Sequence, residues 1–450
     1  MTSPELLAPA GNLRNLRYAL AYGADAVYAG MPRYSLRVRN NDFNTLEQLR
    51  TGIEETHAAG KQFFLASNVL PHNAKVKTFI SDITPVVALG PDALIMADPG
   101  LMMLVRERWP ELPIHLSVQA NTVNYAAVKF WQSVGVRRII LSRELSLDEV
   151  AEIRQLCPDM ELEVFVHGAL CIAYSGRCLL SGYFNHRDAN QGTCTNSCRW
   201  DYQVHDAQVD VSGDLQRIEF NAKSLMENPE PFAGIGNGER HPLAEQSYLI
   251  EERERPGELM PIEEDEHGTY ILNSKDLRAV QHVQRLVEIG IDSLKIEGRT
   301  KSHYYVARTT QIYRTAIDDA VAGRSFDARL MWQLENLANR GYTDGFYQRH
   351  HSQEYQSYLA SSSDSEQQRF VAEIIEVDAN GLAQLDVKNK FAIGDSMELI
   401  TPHGNHTFVL ERMEQMNGEA LSEVPGGGWK VKVQLPVRDV AMGLLAKNLG

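Results

Sequence analysis

Over the first 170 residues, short apolar runs alternate with longer amphipathic stretches. The apolar runs are 6–8, 26–30, 63–66, 93–96, 114–118, 138–141 and 162–166. Stretches with helical spacing separate them, over 13–22, 45–59, 75–89, 100–108, 123–134 and 146–156. Near-continuous apolar strands, each followed by an amphipathic helix, predict a parallel sheet covered by helices. Gly23, Gly60, Gly90 and Gly135 stand just before strands, where a helix C-terminus turns.

Seven strands need an eighth to close a barrel. The run 293–296 supplies it, with a predicted helix over 276–289 and Gly290 ahead of it. The fold class expected is α/β, a (β/α)8 TIM-like barrel over 1–350 with a long insertion after strand seven, about 169–270. An open doubly wound sheet is the alternative, but no Gly-rich phosphate turn follows the first strand. Further helices are predicted over 302–322 and 327–339. The polar run LASSSDSEQQR (359–369) reads as a linker, placed at 351–367 in the domain division. The period then switches to two, over 371–377, 382–387, 397–400, 406–410 and 429–435. Asn380-Gly381, His403-Gly404 and Asn417-Gly418 mark turns between these runs. A small antiparallel β-barrel or sandwich over 368–450 follows, with RNA binding as a candidate role.

Composition adds limits. No apolar run reaches 18 residues, so no membrane span is expected. The Met1 end shows no basic region leading into an apolar run, so a cytoplasmic setting is expected. A formal charge of −15 argues against loose, non-specific binding to nucleic acid, though not against a local basic face. Much of the negative charge lies in EERERPGELMPIEEDE (251–266), which reads as a solvated loop.

Candidate chemistry concentrates in one place. Four of five cysteines, Cys171, Cys178, Cys194 and Cys198, follow strand seven with spacing C-x6-C-x15-C-x3-C. Disulfides need an oxidising compartment. Structural zinc favours C-x2-C knuckles, which are missing here. An iron–sulfur cluster takes thiolates from more widely separated points and fits this spacing best, with unrelated buried cysteines as the other reading. Cys157 reads as a small hydrophobe.

In a barrel the strand C-termini share one mouth, and function collects there. Here they read Ser67-Asn68, Asp98, Gln119 to Asn121, Ser142-Arg143-Glu144, His167 and Glu297-Gly298-Arg299. Structural readings compete: Asp98 as a helix cap, Ser142 and Ser146 as turn or cap residues, Glu144 paired with Arg143 or Arg299, and His167 as a core histidine. Two guanidinium groups at one mouth suit a carboxylate or phosphate ligand. The candidate catalytic residues are His167, Arg143, Glu297 and Arg299. Candidates for binding substrate are Arg33, Arg37, Asn68 and Gln119. Arg33, Arg37 and Arg39 lie near Tyr28 and Tyr34, an interleaving that suits phosphates and stacked bases, or simply a solvated loop. Lys388, Lys390, Lys430, Lys432 and Trp429 form a second such set. No HExxH or GxSxG hydrolase motif occurs. A Cys171 nucleophile served by His167 would leave three neighbouring thiols unexplained.

The segment Glu163, Phe165, Gly168-Ala169-Leu170-Cys171, Gly176, Cys178, Ser181 resembles the signature of the family historically named peptidase U32. LLAPAGN, GADAVYAG, SVQANT, LSRELSL, RDANQGTC, ILNSKDL, LKIEGR and GYTDGF extend the resemblance over nearly the whole chain. The branch of about this length implies an RNA-modifying enzyme that makes 5-hydroxyuridine at tRNA wobble position 34. The resemblance implies an iron–sulfur cluster (4Fe-4S), with Cys171, Cys178 and Cys194 as ligands and Cys198 as the fourth. It also implies prephenate as co-substrate and the tRNA anticodon loop as partner. Prephenate is a dicarboxylate, which the mouth arginines would suit. A cysteine- or metal-dependent peptidase, and a non-catalytic RNA-binding protein with a structural cluster, stand as the other readings.

Overall fold

The computed structural model describes residues 2–35, 42–169, 276–337, 341–348, 368–378 and 381–449, and within 170–275 the backbone of the strands named below. The expected barrel is present. Its strands are β1 (Glu5–Pro9), β2 (Ala26–Gly30), β3 (Gln62–Ser67), β4 (Ala93–Met96), β5 (Ile114–Leu116), β6 (Arg138–Ile140), β7 (Glu161–Ala169) and β8 (Ser293–Ile296). All pair in parallel in chain order, and β8 pairs with both β7 and β1 to close the ring. Closure removes the open doubly wound alternative.

Helices α1 (Leu13–Ala21), α2 (Leu46–Ala58), α3 (Asn73–Val87), α4 (Pro99–Arg108), α5 (Tyr125–Ser133) and α6 (Leu147–Leu156) follow the first six strands, α7 (Val283–Ile289) precedes β8, and α8 (His303–Val321) follows it. Local sequence starts these helices. Asn12 accepts from the Asn15 amide at 2.7 Å, and Ser146 and Glu149 form a capping box. Asp98 caps α4, so its structural reading holds. Gly23 and Gly135 take φ of +101° and +85° after α1 and α5, as their positions predicted.

Two predictions for the insertion region need correction. Residues 276–278, expected to open a helix, form a strand (Asp276–Arg278) antiparallel to the end of β7; helix begins only at Val283. The segment 251–266, expected as a loop, carries the strands Tyr248–Glu252 and Leu259–Asp265. They belong to a five-stranded antiparallel sheet with Leu215–Arg217, Tyr202–Val209 and Gly268–Ile271. The apolar residues Leu259, Met260 and Ile262 lie beside its acidic ones, a strand signal that the charge count obscured.

The C-terminal region is antiparallel as expected. Seven strands run in the order Gly404–Val409, Ser396–Thr401, Leu444–Asn448, Gln368–Val377, Leu382–Val387, Lys430–Gln434, Met413–Gln415. Its core centres on Leu385, Phe391, Met397 and Val431. The sheet packs on the outside of the barrel through α8 and α1. Helix α8 is apolar on two faces, one for each body. Arg308, fully buried, forks onto Glu398 at 3.1 and 3.2 Å. Tyr22 donates to the carbonyls of Ile400 and Met442, each 3.0 Å away. Tyr304 stacks on Phe370.

Candidate active site at the barrel mouth

Strand alternation sets which side chains enter the lumen. Tyr28 on β2, Phe64 on β3, His115 on β5, Arg138 on β6, Glu163 and Phe165 on β7, and Lys295 on β8 are joined by a chain of contacts inside the ring. The lower lumen is a closed set of charges. Arg138 meets Glu5 at 2.6 Å, Glu161 at 3.0 Å and Glu163 at 3.3 Å. Lys295 Nζ donates to Glu163 Oε1 at 2.8 Å and lies 4.4 Å from the centre of the Tyr28 ring. Two carboxylates and two cations (Glu5 and Glu163, Arg138 and Lys295) balance in a nearly dry space. Burial pushes the Glu5 pKa up, against the pull of Arg138. Burial also lowers Lys295, with Glu163 opposing it. His115, buried beside Phe64 and near Arg138 and Lys295, is held well below the usual histidine range, chiefly by desolvation.

Above this floor the strand ends form the mouth, in two unlike walls. One is neutral. Asn68, after β3, donates from Nδ2 to Gln119 Oε1 at 3.0 Å and to Ser117 Oγ at 3.4 Å. Ser117 Oγ donates to the same Gln119 Oε1. The opposite wall is charged. Arg143 lies flat over Phe165 (3.8 Å), donates to the Ala169 carbonyl at 3.0 Å and reaches Glu297 at 3.4 Å. Arg299 donates to Ser35 Oγ at 2.6 Å and stands 5.8 Å from the Tyr28 ring centre. Glu144 accepts the hydroxyl of Ser142.

The glycines of the mouth make room for this wall. A Cβ on Gly30 would come within 2.6 Å of Arg299 Nη1. Gly168 takes φ +105°, and a Cβ there would lie 2.5 Å from the Glu297 carbonyl. Strand β7 therefore leaves the barrel pressed against Glu297 and held by Arg143, two residues before Cys171. Cys171, Cys194 and Cys198 lie outside the described residues; Cys178 ends a short strand, Arg177–Cys178, and its side chain lies outside them too. Arg37 and Arg39 also lie outside them. Cys157 is free and buried.

Asn68, Gln119, Arg143, Glu297 and Arg299 thus meet at the mouth as their positions predicted. His167 does not. The β7–β8 register shifts between Lys295 and Ile296, so that Phe165 pairs with Lys295 but His167 with Ile296. That bulge breaks the alternation and turns His167 out of the lumen, against the rings of Tyr305, Tyr313 and Tyr342, 5.4 to 5.7 Å away. Burial depresses its pKa to about 3, so the ring is neutral at ordinary pH. The core-histidine reading is the one realised. The arginine–aromatic set after β2 also changes. Arg33 is exposed and paired with Asp82 at 2.9 Å. Tyr34 is buried with its hydroxyl on Asp82, and Tyr28 points into the lumen. Neither ring is placed to stack on a base. Lys388, Lys390 and Lys432 pair with Asp386, Glu423 and Asp378, while Trp429 stays partly exposed.

Sequence reasoning did not bring Lys295 or Ser117 to the site. Alternation from Ser293 and from His115 places both inward.

Comparison with known proteins decides the lineage. Residues 11–357 match the profile described as peptidase family U32, and residues 366–447 match that family's C-terminal domain. The chain belongs to peptidase family U32. Relatives of this U32 chain include tRNA hydroxylation protein P of Escherichia coli, 60% identical over 97% of this chain and 94% of the relative. The protein of that name in Haemophilus influenzae is 55% identical over 99% of this chain and 96% of its own. The 23S rRNA 5-hydroxycytidine C2501 synthase of E. coli is 30% identical over 76% of this chain and 45% of its own. In this U32 chain no described helix is long and apolar enough to cross a membrane.

Proposed function

We propose that this chain is a tRNA-modifying enzyme that hydroxylates uridine 34, the wobble base, to 5-hydroxyuridine at the barrel mouth. The observation that carries this reading is the near end-to-end identity of 60% with tRNA hydroxylation protein P. The mouth is chemically compatible with it. A neutral amide wall suits a pyrimidine edge, and the arginine wall suits a dicarboxylate such as prephenate. Anticodon loops present unstacked bases, so presenting one to a recessed site takes little energy.

Four thiols are a donor set suited to an iron–sulfur cluster, and Cys171, Cys178, Cys194 and Cys198 would hold it. Such a cluster would supply redox or Lewis-acid capacity. The described residues would bind and orient. Arg143 and Arg299 would engage carboxylates. Glu297 would hold Arg143 in place, and the Arg143–Ala169 bond would fix where the cysteine segment leaves β7. The peptidase reading loses the base it needed: His167 lies neutral among three tyrosines and faces away from the lumen.

Deleting the gene and weighing tRNA nucleosides tests the reading. Loss of 5-hydroxyuridine, restored by the wild-type gene only in cells that make prephenate, is expected. Unchanged 5-hydroxyuridine in the deletion strain overturns it. Protein purified without oxygen should contain about four irons per chain, lost in Cys178→Ala.

A further inference from the structure

Arg299 does not stand at the mouth by itself. Its Nη1 donates to Ser35 Oγ at 2.6 Å, and both groups crowd onto Gly30 at the end of β2. A Cβ on Gly30 would lie 2.6 Å from that nitrogen and 2.8 Å from that oxygen. The Gly30 backbone lies outside the left-handed region, so alanine could adopt it, and what glycine supplies here is space. The turn from Met31 to Ser35 brings Ser35 back over Gly30. The Ser35 amide donates to the Met31 carbonyl at 3.1 Å, and Arg33 takes φ +66°. A residue with a side chain stays in that region only where its surroundings fix it. Here α3 does so. Asp82 Oδ2 accepts from Arg33 Nη1 at 2.9 Å and from the Tyr34 hydroxyl at 2.7 Å. Lys75 Nζ donates to the Arg33 carbonyl at 3.2 Å. Tyr34 is fully buried, edge-on to Phe79.

A guanidinium meets a carboxylate best when its plane is fixed before the ligand arrives, because the paired geometry is lost if the head group rotates. Resting on the reading above that Arg299 engages a carboxylate, we infer that Ser35 and Tyr34 are positioning residues for Arg299. Ser35 holds one donor of the guanidinium. The turn that carries Ser35 is clamped to α3 through Tyr34 and Asp82, and this clamp sets the guanidinium over Gly30 in the orientation that meets the ligand. The arginine–aromatic motif after β2 thereby gains a role. It serves to hold a binding arginine of the opposite wall, with Tyr34 acting from the α3 side.

Prephenate binding to the full-length protein, handled without oxygen and followed by isothermal titration calorimetry, tests this. Arg299→Met should weaken binding about tenfold, and Arg143 still holds the other carboxylate, so the residual binding stays measurable. Ser35→Ala should weaken it about three- to tenfold, and Tyr34→Phe about two- to threefold. Thermal melting of each variant checks that the fold is intact. The deciding readout is a double-mutant cycle. Added to Arg299→Met, Ser35→Ala and Tyr34→Phe should change the affinity no further, whereas a merely structural loss would carry over in full. Full additivity overturns the inference. So does an affinity unchanged in both Ser35→Ala and Tyr34→Phe while Arg299→Met weakens binding. If Ser35→Ala fails to fold, Tyr34→Phe, which removes one hydroxyl on the α3 side, carries the same cycle. If the wild type does not bind prephenate, or Arg299→Met binds it as the wild type does, the carboxylate role of Arg299 falls first and the inference with it.

Discussion

The floor and the mouth of this barrel are both polar, and they handle polarity in opposite ways. At the floor, Glu5, Arg138, Glu163 and Lys295 meet one another at 2.6 to 3.3 Å and are nearly dry. Their charges cancel internally, so they offer little to a ligand and lose much if one is removed. At the mouth, Arg143 lies at the rim with its Nε lacking a hydrogen bond among the described residues, and Asn68, Ser117 and Gln119 bond one another without charge. Charge that is closed on itself builds a barrel. Charge and hydrogen-bonding capacity held open by neighbours build a site.

That contrast breaks or holds on four measurements. The largest effect belongs to the floor. Lys295→Met leaves Glu163 buried beside Arg138 alone and should lower stability by about 3–5 kcal/mol in urea unfolding. Adding Glu163→Gln should recover a substantial part, because the orphaned charge goes with it. Gly168→Ala comes next. Its Cβ meets the Glu297 carbonyl and its φ is unfavourable for alanine, so about 1–3 kcal/mol is expected to be lost, together with 5-hydroxyuridine formation.

The third is a pH effect from two histidines buried outside the lumen. His167 titrates near 3 when folded, chiefly through burial, and near 6.5 when unfolded. His303, at the interface with the C-terminal sheet, is depressed to about 4, again first by burial and then by Arg14. A depressed folded pKa means the unfolded chain takes up the proton first. The neutral rings therefore contribute fully above about 6.5, and stability falls as pH drops from there toward 3 to 4. His167→Phe should flatten that slope in unfolding measured across the window. An unchanged slope would place the titrating group elsewhere. The smallest stability effect belongs to the mouth: Arg143→Met should lower stability by about 1–2 kcal/mol, since the pair it breaks with Glu297 is partly buried, the side chains being 15% and 14% exposed.

Much of this was legible in the chain because strands and helices announce themselves by period. All eight barrel strands lie within the predicted runs or up to three residues beyond them. Asn68, Gln119, Arg143, Glu297 and Arg299 follow from being just past strand ends. Three features were hidden for identifiable reasons. The bulge near Val166 leaves no mark in composition, and it alone decides that His167 faces Tyr313 and not the lumen. The strand Asp276–Arg278 continues into a helix with matching apolar spacing, so the two merged into one predicted helix. The docking of the C-terminal sheet depends on Tyr22, Arg308 and Glu398, which lie hundreds of positions apart in two cases and carry no local signal.

Mass spectrometry of tRNA nucleosides from a deletion strain carrying Arg143→Met tests most directly that chemistry belongs to the mouth. The variant protein should melt close to the wild type and accumulate normally, yet 5-hydroxyuridine should be lost by tenfold or more. Wild-type levels of 5-hydroxyuridine in that strain would contradict it.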